Sequence, residues 1–253
     1  MYERVFKMCG IIGYTGKQQA KNILLEGLGR LEYRGYDSSG ICVNYKNELN
    51  FVKAEGKLAN LEDKLKKVEL KGNTGIGHTR WATHGAPDEI NSHPHFSNDC
   101  KFAVVHNGII ENYRELKAFL TERGFKFTSQ TDTEVVPILL QYNYKSSIFE
   151  AIKETVAMLK GSYALGILSC YEPNKLYAVR KDSPLILGKG DGENFIASDI
   201  PALLSFAKEF YLLEQDEYAI LTQNEITVLN AKGEKISKEV FVVTQDEAYE
   251  KIK

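Results

Sequence analysis

Cys9-Gly-Ile-Ile-Gly-Tyr14 is a short apolar run without helical spacing, and it reads as a buried strand at the head of the chain. Outward from it, residues 17–33 put Ile23, Leu24, Leu28 and Leu31 on one face, which predicts a helix. Arg34-Gly-Tyr-Asp37 breaks that pattern. Residues 39–45 follow as a second strand, with turn residues over 44–50 and a hairpin partner at 51–54. Leu58, Leu61, Leu65 and Val68 then mark the inner face of another helix. A strand at 75–79 leads into His78-Thr-Arg-Trp-Ala-Thr-His-Gly85 and a long polar loop containing His93-Pro-His95, and a strand at 102–106 runs into Asn107-Gly108. Connections of that length usually carry function.

Helical patterns occupy residues 112–123, 133–144 and 148–159. Short strands follow at 163–169, 176–179, 185–187, 195–197, 210–213, 218–221 and 226–229. The alternation predicts a layered α+β fold in one domain. The 253 residues carry 32 Lys+Arg against 34 Asp+Glu, so no basic excess exists to draw in nucleic acid. No uncharged apolar stretch nears the ~18 residues that span a bilayer. Cys9, Cys42, Cys100 and Cys170 form no CxxC pair and fit free thiols in a reducing cytoplasm.

Three features offer chemistry. Gly188-Lys-Gly-Asp-Gly-Glu193 fails the GxGxxG test at its last position and reads as a tight turn. All five histidines lie between His78 and His106, but without zinc-site spacing; a zinc protein built on them is one reading of the cluster. Cys9 follows Met8, where initiator methionine is commonly removed. An N-terminal cysteine has its own base, because an α-amine with a reference pKa of about 7.7–8.0 sits beside a thiol of about 8.5. Taken alone, Cys9 reads as a buried strand cysteine and Asn107-Gly108 as a hairpin turn, and Asp132 is well placed for a helix cap.

Read together, MCGIIGYTG (8–16), LEYRGYDSSGI (31–41), HTRWATHG (78–85), HNGIIENY (106–113), TDTEV (131–135) and GENFIASD (192–199) resemble the class II glutamine amidotransferases, which are N-terminal-nucleophile hydrolases. The resemblance is closest to members that carry sugar isomerase domains behind the amidotransferase domain. It implies a four-layer αββα sandwich of two antiparallel sheets, with Cys9 opening a central strand. It also implies hydrolysis of L-glutamine to L-glutamate and ammonia, with no cofactor. By the same resemblance Cys9 is the nucleophile, Asn107 and Gly108 form the oxyanion hole, and Arg30 lies near the nucleophile. Arg80 holds the substrate α-carboxylate, Asp132 its α-ammonium, and Trp81, Thr83 and His84 belong to a loop that closes over it. A homodimer is a further expectation.

Residues 1–7 stand ahead of the family pattern, which begins Met-Cys-Gly at Met8, and with Met8 they make an N-terminal extension of residues 1–8. They are expected to be absent or removed in the active form, leaving residues 9–253 as the amidotransferase domain, with the isomerase domains missing from this chain. If they are retained, the amine is blocked and the chain reads as a glutamine-binding module without chemistry.

Overall fold

The structure, a computed structural model, describes residues 9–81 and 85–243. Fourteen strands and five helices follow one another among them. β1 (Gly10–Gly16) leads into α1 (Ala20–Gly29), β2 (Ser38–Tyr45), β3 (Glu48–Glu55), α2 (Leu58–Leu65) and β4 (Thr74–Arg80). β5 (His95–Phe96), β6 (Phe102–Ile110), α3 (Tyr113–Thr121), α4 (Val135–Asn143) and α5 (Ile148–Met158) form the middle of the chain. β7 (Gly161–Ser169), β8 (Leu176–Lys181), β9 (Ile186–Lys189), β10 (Glu193–Ala197), β11 (Glu209–Leu212), β12 (Glu217–Leu221), β13 (Ile226–Leu229) and β14 (Lys235–Ile236) complete it.

The strands make two seven-stranded sheets with orders β11-β9-β10-β1-β4-β2-β3 and β14-β13-β12-β8-β7-β6-β5. Every named pairing is antiparallel. β1 is the middle strand of its sheet, as the apolar run at the head of the chain implies. Such a strand is covered on both faces, so its side chains alternate between two cores. Ile12 joins Leu24, Leu28, Ile41 and Leu61 beneath α1 and α2. Ile11 joins Ile76, Val105, Leu168 and Ile196 between the sheets. β6 divides its side chains the same way: Phe102 and Val104 pack on α4 and α5, Ala103 and Val105 on the other sheet. Three cores between four layers give the αββα sandwich.

Several boundaries differ from the sequence reading. The first helix stops at Gly29 and hands over to a 3-10 turn, Glu32–Arg34, because Gly27 and Gly29 weaken its last turn. Val68 is exposed rather than inward, since α2 ends at Leu65 and the following residues leave its face. Asn107-Gly108 is not a turn: both residues lie inside β6, opposite Ala164 and Tyr163. Asp132 does not cap α4; Glu134 occupies that position and no side chain bonds the cap. The glycine-rich segment at 188–193 is the expected turn, joining β9 to β10 through a Gly190 N–H to Glu193 O bond of 2.8 Å.

Candidate active site

Gly10 on β1 pairs with Thr79 on β4, and that register carries Cys9 past the strand's edge to the chain leaving β4. The Trp81 N–H donates to Cys9 Sγ at 3.2 Å. From the other sheet, Asn107 Nδ2 donates to the Cys9 carbonyl at 3.0 Å. Cys9, Arg34, Arg80, Trp81, Asn107, Gly108 and Asp132 line one cavity of ≈290 Å³. Burial pushes the Cys9 thiol up, against the opposing pull of the Trp81 N–H and the charges of Arg80 and Arg34.

Arg80 is buried, with Nη1 donating to Ala86 O at 3.0 Å. Asp132 is buried too, and its Oδ2 accepts from the Ile110 N–H at 2.7 Å. A guanidinium and a carboxylate on the wall of one small cavity suit a zwitterionic amino acid. Gly108 has φ 123°, and a Cβ there would lie 2.1 Å from Ser162 O, so only glycine fits at this point of the cavity wall.

Arg30 requires a correction. It caps α1 and bonds Glu26 at 2.9 Å on the surface, away from the cavity lining. Besides Arg80, the arginine that reaches the cavity is Arg34, whose Nη1 donates to Ser198 Oγ at 3.0 Å. The same hydroxyl accepts from the Ile11 N–H at 3.0 Å, which ties Arg34 to the strand that begins beside Cys9. The signal was present in EYRGYD: the helix ends before Arg34, and the turn at Gly35 (φ 78°) folds it inward. Thr83 and His84 lie outside the described residues.

The histidines form a packed group. The His78 and His93 rings stack at 4.0 Å between centroids, and His95 meets His93 edge-on at 4.8 Å. His93 Nε2 and His106 Nδ1 both bond Thr133 Oγ1, at 3.0 and 2.8 Å, and His95 Nε2 bonds Thr131 Oγ1 at 3.0 Å. The cluster thus grips both neighbours of Asp132. Burial lowers the pKa of all four rings, His78 to about 3, so they are neutral at pH 7. Among the described residues, no three His, Cys, Asp or Glu side chains are placed to hold a metal ion.

Residues 78–205 match the glutamine amidotransferase domain family. The chain belongs to the glutamine amidotransferase family. It is 52% identical over 237 residues to the glutamine–fructose-6-phosphate aminotransferase [isomerizing] of Clostridium perfringens, covering 94% of this chain and 39% of that one. The enzyme of the same name from Caldanaerobacter subterraneus is 52% identical over 245 residues, covering 96% and 40%. The amidotransferase chain therefore spans about two fifths of the length of these curated relatives. Among solved structures, the glutamine phosphoribosylpyrophosphate amidotransferase of B. subtilis superposes with a TM-score of 0.77 at 27% identity, over 88% of this chain and 49% of that one. That superposition shows that the two proteins share one fold over this region. No helix among the described residues is long and apolar enough to cross a membrane.

Proposed function

We propose that this domain hydrolyses L-glutamine to L-glutamate and ammonia through a γ-glutamyl thioester on Cys9. One observation carries the reading: Cys9 Sγ shares a small cavity with a buried arginine, a buried aspartate and the Asn107-Gly108 pair. Arg80 takes the α-carboxylate and Asp132 the α-ammonium, which points the carboxamide at Sγ. Trp81, on the wall of the same cavity, covers the bound amino acid.

A thiol raised by burial needs a base. The described histidines are held neutral and hydrogen-bonded elsewhere. The α-amine that Cys9 carries once it is the first residue has suitable basicity and lies beside the thiol. It takes the thiol proton, and Sγ attacks the substrate carbonyl carbon. Asn107 Nδ2–H and the Gly108 N–H hold the oxyanion, a contribution worth about 10²–10³ in rate per donor. The ammonium returns its proton to the departing nitrogen as the C–N bond breaks. A water that gives a proton to the same amine then cleaves the thioester, releasing glutamate. Arg34, rather than Arg30, is the arginine that supports the nucleophile, its charge favouring the thiolate.

This mechanism needs Cys9 at the N-terminus, so residues 1–8 are absent or removed in the active form. Mass spectrometry of the N-terminus and an ammonia-release assay on one preparation test it. Turnover is expected only in the fraction beginning at Cys9; equal turnover with residues 1–8 intact removes the amine from the mechanism. Failure of the processed chain to release ammonia would instead favour a glutamine-binding module.

Arg80→Ala is expected to raise KM for glutamine by about 10–100-fold with a smaller fall in kcat, because it removes a grip remote from the reacting bond. Unchanged steady-state constants would take Arg80 out of the binding site.

The names of the relatives support a larger reading. In a full-length protein, sugar isomerase domains receive the ammonia and convert fructose 6-phosphate to glucosamine 6-phosphate in a cytoplasmic homodimer. The thiols of Cys9, Cys42, Cys100 and Cys170, none in a disulfide, fit that compartment. Glutamine-dependent formation of the amino sugar by the full-length protein tests this part.

A further inference from the structure

The geometry points to His78 as a positioning residue: it fixes the orientation of the Asn107 carboxamide, so that Nδ2 and not Oδ1 faces the substrate. The inference rests on the reading of Asn107 as an oxyanion donor. The two ends of a carboxamide have nearly the same shape and opposite hydrogen-bonding character, and a turned amide would aim a lone pair at the developing negative charge.

His78 Nε2 lies 3.0 Å from the His106 carbonyl oxygen and 3.0 Å from Asn107 Oδ1. A carbonyl only accepts, so Nε2 carries the proton. A proton there in turn requires the oxygen end of the Asn107 side chain to face His78. The second contact agrees: Asn107 Nδ2 donates to the Cys9 carbonyl, which also only accepts. Two fixed partners therefore hold one orientation, and the second Nδ2 proton remains for the oxyanion.

The tautomer is fixed as well. His78 is fully buried, and its Nδ1 has no hydrogen-bond partner among the described residues. A proton on Nδ1 would be buried without an acceptor, at a cost the Nε2 form avoids. Stacking on His93 holds the ring plane. The bond also crosses between sheets, since His78 is on β4 and Asn107 on β6. No contact places His78 on Sγ or in the cavity wall, so it acts through Asn107 and is not itself a catalytic residue.

The test compares His78→Leu, His78→Gln and Asn107→Ala, and the double variant of His78→Leu with Asn107→Ala, all in the chain that begins at Cys9. His78→Leu is expected to lower kcat about 10–100-fold, short of or equal to the loss of a whole oxyanion donor, with KM for glutamine within about twofold. His78→Gln keeps an N–H donor and is expected to recover most of the lost kcat. In the Asn107→Ala background, His78→Leu is expected to cost less than about twofold more. An equal further loss there, a parallel rise in KM, or a glutamine variant as slow as the leucine one overturns the assignment. Asn107→Ala with unchanged kcat overturns the oxyanion reading itself, a separate result. Should the leucine variant not fold, imidazole ¹⁵N shifts of the unmodified protein decide: Nε2–H and bare Nδ1 from pH 5 to 8 support the positioning role, and an Nδ1–H tautomer ends it.

Discussion

Cys9→Ala is expected to reduce ammonia release by at least about 10⁴-fold, because the atom that attacks glutamine is gone and no neighbouring group replaces it. Glutamine binding is expected to stay within about threefold of the unmodified protein, since the head-group grip lies with Arg80 and Asp132. The fold is expected to survive. Cys9 precedes β1, whose packing is supplied by Ile11 and Ile12 in two different cores. Calorimetric titration with glutamine beside an ammonia assay checks both halves. Turnover above a few per cent would mean that another nucleophile carries the reaction. Lost binding with intact structure would place the cysteine in recognition instead.

The second large effect concerns acid. His78, His93, His95 and His106 are buried as neutral rings, with pKa values lowered chiefly by desolvation. In the unfolded chain each titrates near 6.5, so below that pH the unfolded state binds protons that the folded state refuses. Stability is therefore complete above about pH 6.5 and is lost as pH falls toward the folded values, about 3 for His78. Each ring contributes a slope approaching about 1.4 kcal/mol per pH unit inside its window. His78 alone removes about 2 kcal/mol between pH 6.5 and 5, and the other rings act in the same direction. Against a total of about 5–15 kcal/mol, urea midpoints at pH 5 are expected well below those at pH 7.5. Equal midpoints would show that the rings are protonated within the fold.

Much of this was legible in the sequence, for physical reasons. The run at Cys9–Tyr14 has apolar residues on both sides of its alternation, which only a doubly covered strand requires, and it proved to be the centre of a sheet. The motifs single out Cys9, Arg80, Trp81, Asn107, Gly108 and Asp132, and all six line one cavity. The resemblance alone puts Arg30 near the nucleophile, whereas helical periodicity already reads it as an exposed residue at the end of α1; the 3-10 turn after Gly29 carries Arg34 inward instead. Asn107-Gly108 carries a strong local turn signal, yet pairing with β7 overrides it and puts the glycine's positive φ inside a strand. The histidines could be seen to cluster but not to stack, because their contacts join β4, β5, β6 and the loop at Asp132 across long stretches of chain.

Cys9 and Trp81 hang from one seven-stranded layer, Asn107 and Gly108 from the other, and among the described residues the Asn107 amide and the His78 imidazole link them at this end. Slippage of half an ångström between the layers would leave glutamine seated yet misalign thiol and oxyanion cradle, where geometry governs rate most steeply.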